Sequence, residues 1–149
     1  MEPVKNIQVY LEEASNSSEG IQLPVVPASF SIDDGQNNVV VNITNLGEAN
    51  LPGKKALREL QLSSFFPNQD YKFLVCERKS NPYEYIEWLR KRKNEGTILR
   101  VIITGAEINF TCLIEGLQYG EDDASGDVNF TIDLKEYVTL KKTESKTGS

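Results

Sequence analysis

Apolar and polar positions alternate with period two over several short stretches of this chain, and helical spacing occurs over one. Residues 6–11 (NIQVYL) have strand character, NSSEG carries turn residues, and the chain returns through IQLPVV. Pro24 and Pro27 confine that returning segment to a sheet edge or an extended connection. SFSID sets Phe30 and Ile32 on one face, and DDGQNN is a polar turn. NVVVNIT sets Val39, Val41 and Ile43 on one side with Asn42 and Thr44 on the other, so the two runs are expected to form a hairpin. NLGEANLPGKK, with Gly47, Pro52 and Gly53, is expected to be a long connection. ALRELQLSSF then sets Leu60 and Leu62 on one face, and residues 67–80 are irregular.

One helix is predicted over residues 82–95. Asn81 serves as N-cap, Pro82 occupies the first helical position, and Glu84 stands where a capping box wants it. Tyr85, Ile86 and Leu89 form the apolar stripe. Arg90, Lys91, Arg92 and Lys93 load the last turn against the helix dipole, and Gly96 ends it. Three strands follow: TILRVIITG, apolar on both faces and so central; INFTCLIEGLQY; and DVNFTIDLKEY. In the last, Val128, Phe130, Ile132 and Leu134 alternate with Asn129, Thr131, Asp133 and Lys135. The final two are expected to pair as a hairpin, 108–119 with 127–138, through the loop GEDDASGD. The class is therefore mainly β, with one α-helix packed on it. Residues 1–140 are expected to form a single domain, and KKTESKTGS (141–149) a disordered polar end or linker.

Adjacent residues of a strand point to opposite faces, so Phe65 and Phe66 in LQLSSFFP cannot both enter one core. One covers the chain's own core and the other is expected to meet a neighbouring molecule. Tyr83 and Trp88 lie off the helix stripe, and Tyr119 and Tyr137 close long strands. Interfaces enrich such side chains, so Phe65, Phe66, Tyr83, Trp88, Tyr119 and Tyr137 are the candidate protein-interface residues.

Charge and composition narrow the chemistry. The net charge of −6 excludes nucleic-acid contact through a basic patch, and no apolar run reaches the ~20 residues that span a bilayer. The chain has no histidine, so the commonest general base and metal ligand are missing. No nucleophile elbow, phosphate loop or dinucleotide fingerprint occurs, and no enzyme activity, cofactor or metal is expected. The carboxylates Glu121, Asp122, Asp123 and Asp127 lack the glutamate that closes a calcium loop and fit a solvated turn. The run RKRK fits a solvated helix end. The sequons at Asn42, Asn109 and Asn129 fit polar strand faces in a chain whose N-terminus has no secretory signal. Cys112 sits in an apolar strand as a buried free thiol, and with Cys76 as the only other cysteine a reducing cytoplasm fits.

The order of segments adds a resemblance. IQLPVVPASFSI, the NLGE segment with its SSFFP ending, the helix NPYEYIEWLRKRK, and VIITGAEIN followed by DVNFTIDLKEY together resemble the N-terminal domain of LysM-containing tail proteins. These belong to PBSX-type prophages, related contractile phages and phage-tail-like bacteriocins. The resemblance runs to about Tyr137. It implies a β-barrel or sandwich like that of tail-tube proteins, flanked by one helix and assembled as a homo-oligomeric ring, a hexamer. It also implies a structural role in the baseplate, connecting the tail tube to the central hub. The partners would be other baseplate, hub and tail-tube proteins, in a virion tail or tail-like particle assembled in the bacterial host cytoplasm. Family members continue into a LysM module that binds peptidoglycan or docks on baseplate parts. No such module follows in these 149 residues, so peptidoglycan binding is not implied. The alternative from another class is a small β-rich module that presents its sheet or acidic loop to a carbohydrate or calcium-dependent partner.

Overall fold

The computed structural model of the chain describes residues 7–139. The start of the expected first strand at residue 6 and the stretch 141–149 lie outside the described residues. The strands are β1 (Val9–Glu13), β2 (Asn16–Gln22), β3 (Ser29–Asp33), β4 (Gln36–Ile43), β5 (Gly47–Lys55), β6 (Glu59–Phe66), β7 (Leu99–Ile103), β8 (Ile108–Gly120) and β9 (Val128–Glu136). Among the described residues a single helix, α1 (Pro82–Glu95), stands between β6 and β7. Seven strands form one open antiparallel sheet in the order β2-β1-β7-β8-β9-β6-β3, while β4 and β5 form a separate two-stranded ribbon.

The core follows the period-two pattern. Leu60, Leu62 and Phe66 of β6, Val128, Phe130, Ile132 and Leu134 of β9, and Leu99, Val101 and Ile103 of β7 bury one face of the sheet. Tyr85, Ile86 and Leu89 of α1 join the same cluster. Asn81 caps α1 by accepting a bond from Tyr83 N (2.9 Å), and Gly96, at φ 66°, closes the C-terminus. Glu84 departs from the capping box: its carboxylate takes the Ser80 hydroxyl (3.0 Å) rather than returning to the cap backbone. The final hairpin pairs as expected, and β7 lies inside the sheet. A register shift between Ile114 and Gly116 bulges β8 at Glu115, which is exposed. The bulge puts Leu117 opposite Ile132 and Tyr119 opposite Phe130.

Three expectations fail in the first half. NSSEG is strand β2, not a turn, and the reversal falls at Ala14 and Ser15. Its polar side chains suit an exposed edge, and a Cβ on Gly20 would lie 2.7 Å from Leu11 O, so glycine permits the close pairing. The expected hairpin of SFSID with NVVVNIT does not form: β3 pairs with β6, and β4 pairs with β5. NLGEANLPGKK is that partner strand rather than a connection. Asn45 (φ 73°) and Gly47 (φ 92°) make its turn. Its glycine and proline reflect a register shift opposite Asn37–Val39, where a Cβ on Gly53 would overlap Asn37 O at 1.6 Å.

Candidate functional site

Two surfaces stand out, at opposite ends of β6. The first lies beside Phe65. Period-two alternation sends Phe66 into the core, where its ring is fully buried between Tyr85 (centroids 4.4 Å apart) and Phe130 (4.2 Å). Phe65 faces the other side of the sheet, half-buried, with Tyr71 and Phe73 each edge-on at 6.2 Å. Tyr71 and Phe73 stack on each other at 4.9 Å, and Phe73 is largely exposed. Next to this cluster an open groove of about 570 Å³ runs over Ser63, Phe65, Gln118, Tyr119, Asn129 and Thr131.

The groove's rim is acidic. Each carboxylate of the 121–127 loop is held by a neutral donor of the chain. Tyr83 OH donates to Glu121, Asn129 Nδ2 to Asp122 (2.6 Å), Ser125 Oγ to Asp123 (2.6 Å), and Tyr71 OH and Asn68 N to Asp127 (2.6 and 2.7 Å). These bonds raise the Tyr71 and Tyr83 phenols above their ordinary pKa, because a carboxylate favours the protonated donor, and the Ser125 bonds lower Asp123. None of the four has a salt-bridge partner among the described residues. No group of three or more potential ligand side chains suited to a metal occurs among the described residues either.

The second surface is the β4–β5 arm. Its neck is closed by Ala56 N donating to Gly35 O (3.0 Å), beside the Asp33–Glu59 pair that ends the β3–β6 ladder. The pairings Val39–Leu51 and Val41–Ala49, with Ile43 beyond them, put the arm's apolar residues on one side. Asn42, Glu48 and Asn50 occupy the other, together with Val40. That apolar side is uncovered: Val39 is 55% exposed and Leu51 46%, and Leu46 at the tip is 79% exposed.

The remaining candidates are scattered. Tyr83 adjoins the groove's acidic end through Glu121. Trp88 belongs to a different cluster, donating Nε1–H to Glu19 (3.1 Å) while the Arg92 guanidinium lies 4.1 Å over its ring. Arg92 corrects the expectation of a solvated RKRK end. It is only 9% exposed and bridges Glu13 and Glu19 at 3.0 Å each, tying α1 to β1 and β2. Tyr137 is half-buried past β9, where its backbone exchanges hydrogen bonds with Thr111. The structure thus places Phe65 and Tyr119 on opposite faces of the sheet, since Tyr119 pairs with Phe130 and Phe65 with Asn129, although both border the groove; Tyr83 reaches the acidic loop, and Phe66, Trp88 and Tyr137 lie apart. Sequence reasoning missed Tyr71 and Phe73, whose segment has no periodicity, and missed the arm because β5 was hidden behind Gly47, Pro52 and Gly53.

Comparison with known proteins adds the following. A family model for Dit-like phage tail proteins matches residues 53–148. An uncharacterized Bacillus subtilis (strain 168) protein, YqbP, is 31% identical over 144 residues, covering 91% of this chain; the chain spans 66% of that relative's length. Among solved structures, the SPP1 tail tube superposes with a TM-score of 0.56 at 13% identity, over 90% of this chain and 76% of that one. A chain of the native gene transfer agent virion gives 0.55 at 14% identity, over 96% and 99%. One from the tail of an empty gene transfer agent particle, with C6 symmetry, gives 0.51 at 14% identity, over 91% and 94%. These likenesses are of fold: a mainly β chain of the kind found in phage tail tubes.

Proposed function

This chain belongs to the Dit-like phage tail protein family, and we propose that it forms a ring joining the tail tube to the central hub of a contractile baseplate. The observation that carries this reading is the uncovered apolar side of the β4–β5 arm. An isolated two-stranded ribbon is marginal in water, so an arm with one apolar side needs a second surface to lie on. Ring-forming subunits supply such surfaces to one another. The C6 symmetry of the gene transfer agent tail motivates six copies.

The resemblance of the segment order to LysM-containing tail proteins of PBSX-type prophages, contractile phages and tail-like bacteriocins supports the baseplate position. The chain's partners are then tail-tube and hub proteins, and its place is the particle's tail, after assembly in the host cytoplasm. Disrupting the gene tests the joint itself. Without this chain, tube and hub proteins should no longer co-sediment in lysates, while capsids form normally. Full-length tails with hubs attached in the disrupted strain would refute the adaptor role.

A further inference from the structure

We propose that the Arg58–Glu136 ion pair is a latch that fixes the direction of the β4–β5 arm, and that the arm turns about Gly35 and Ala56 when the latch opens. The inference concerns a single copy of the chain and goes beyond the ring reading above. Three observations carry it.

The first is how the arm is hung. Residues 34–35 lead into β4 and residues 56–58 lead out of β5, and among the described residues these two strands pair only with each other. The Ala56–Gly35 backbone bond ties one leg to the other, not to the sheet. A side chain on Gly35 would meet nothing within 4 Å, and Leu57 on the second leg is exposed. Short, uncovered connectors at element ends are where a hinge absorbs rotation.

The second is an anchor on the second leg. Glu136 N donates to Arg58 O (2.8 Å), and Arg58 N returns a bond to Glu136 Oε1 (3.0 Å). The guanidinium adds two more, Nε to Oε1 (3.2 Å) and Nη2 to Oε2 (3.0 Å), and lies 4.3 Å from the centroid of the Phe110 ring. The two side chains are only 22% and 14% exposed. A planar fork on a carboxylate holds the guanidinium in one orientation. The β6–β9 ladder already ends at Glu59–Lys135, so the fork extends the sheet's hold by one residue onto the leg of the arm. The third is charge. Asp34, in the first leg, attracts the Arg58 guanidinium, and Lys55, at the end of β5, attracts the Glu136 carboxylate. Turning the arm parts both pairs, which couples its direction to the fork.

Single-molecule energy transfer on the full chain tests the proposal, at a dilution where copies do not meet. One dye sits at Leu46→Cys on the arm's tip and the other at Lys91→Cys on the exposed side of α1. The background is Cys76→Ser, and Cys112 is buried. With the latch intact the transfer efficiency should form one narrow peak. Arg58→Ala and Glu136→Gln should each broaden and shift it. Glu59→Gln, which removes only the neighbouring contact with Lys135 (4.0 Å), should leave it in place. A second dye pair within the body, Lys72→Cys with Lys91→Cys, should stay put in every variant. A broad peak with the latch intact, a peak that neither latch variant moves, or a body pair that shifts with both would each overturn the proposal. Any of these would leave the ring reading standing, because no second copy takes part in the measurement.

Discussion

Replacing Phe66 and Phe65 separately by alanine should give two very different losses. Phe66 is fully buried and stacked on both faces, nearly parallel to Tyr85 and Phe130. Its removal opens a cavity that α1 and β9 cannot close without leaving each other, so the cost should fall at about 3–5 kcal/mol. In a chain of this size that lowers the melting temperature by roughly 10 °C. Phe65 touches Tyr71 and Phe73 only edge-on, at the rim of an open groove. Alanine there should cost the monomer about 1 kcal/mol, the worth of an aromatic edge contact, yet weaken assembly by about 2 kcal/mol or more. Denaturant unfolding of dilute protein, beside sedimentation at higher concentration, separates the two effects. Equal, large losses of monomer stability at both positions would refute the reasoning. So would a Phe65 variant that assembles normally.

Three further outcomes follow from the site chemistry. Arg92→Ala should cost about 2 kcal/mol in denaturant unfolding, because it strands Glu13 and Glu19 and uncovers Trp88, while Lys91→Ala on the exposed side should change little. Glu136 is held below the ordinary carboxylate range by its hydrogen bonds from the Arg58 guanidinium (3.0 and 3.2 Å). The folded state therefore resists its protonation: the stabilisation is complete above the ordinary carboxylate pKa and fades as pH falls through the lowered one, so Glu136→Gln should flatten the acid limb of the stability profile. Cys112 is fully buried and its thiol is pushed up to about 12, so a disulfide reagent should modify half-buried Cys76 first and reach Cys112 only on unfolding.

The second half of the fold was legible because its elements carry their own punctuation. Asn81, Pro82 and Gly96 bracket α1, the alternation of β9 fixes its face, and the short loop GEDDASGD fixes its hairpin partner. The opposite facing of Phe65 and Phe66 followed from strand geometry alone. The first half was less legible because period two says which face a residue takes and nothing about which strand lies alongside. Phe30 and Ile32 reach the core by pairing across to Leu62 and Leu60, a partner some 30 residues on. β5 was hidden because the glycine and proline at its register shift are the residues that mark a loop elsewhere. Arg92 looked like one of four equivalent cations until Glu13 and Glu19 came from distant strands to meet it. The groove escaped for the same reason, since its lining is assembled from three residues each of β6, β8 and β9, strands far apart in the chain.

The central claim is that this chain is a ring at one level of the tail, where the tube meets the hub. A reconstruction of the purified native particle's tail end by electron microscopy tests it most directly. The account predicts six copies in one ring beneath the last tube layer, with the apolar side of each β4–β5 arm covered in the assembly. Copies repeating along the whole tube, or the chain's absence from purified particles, would contradict it.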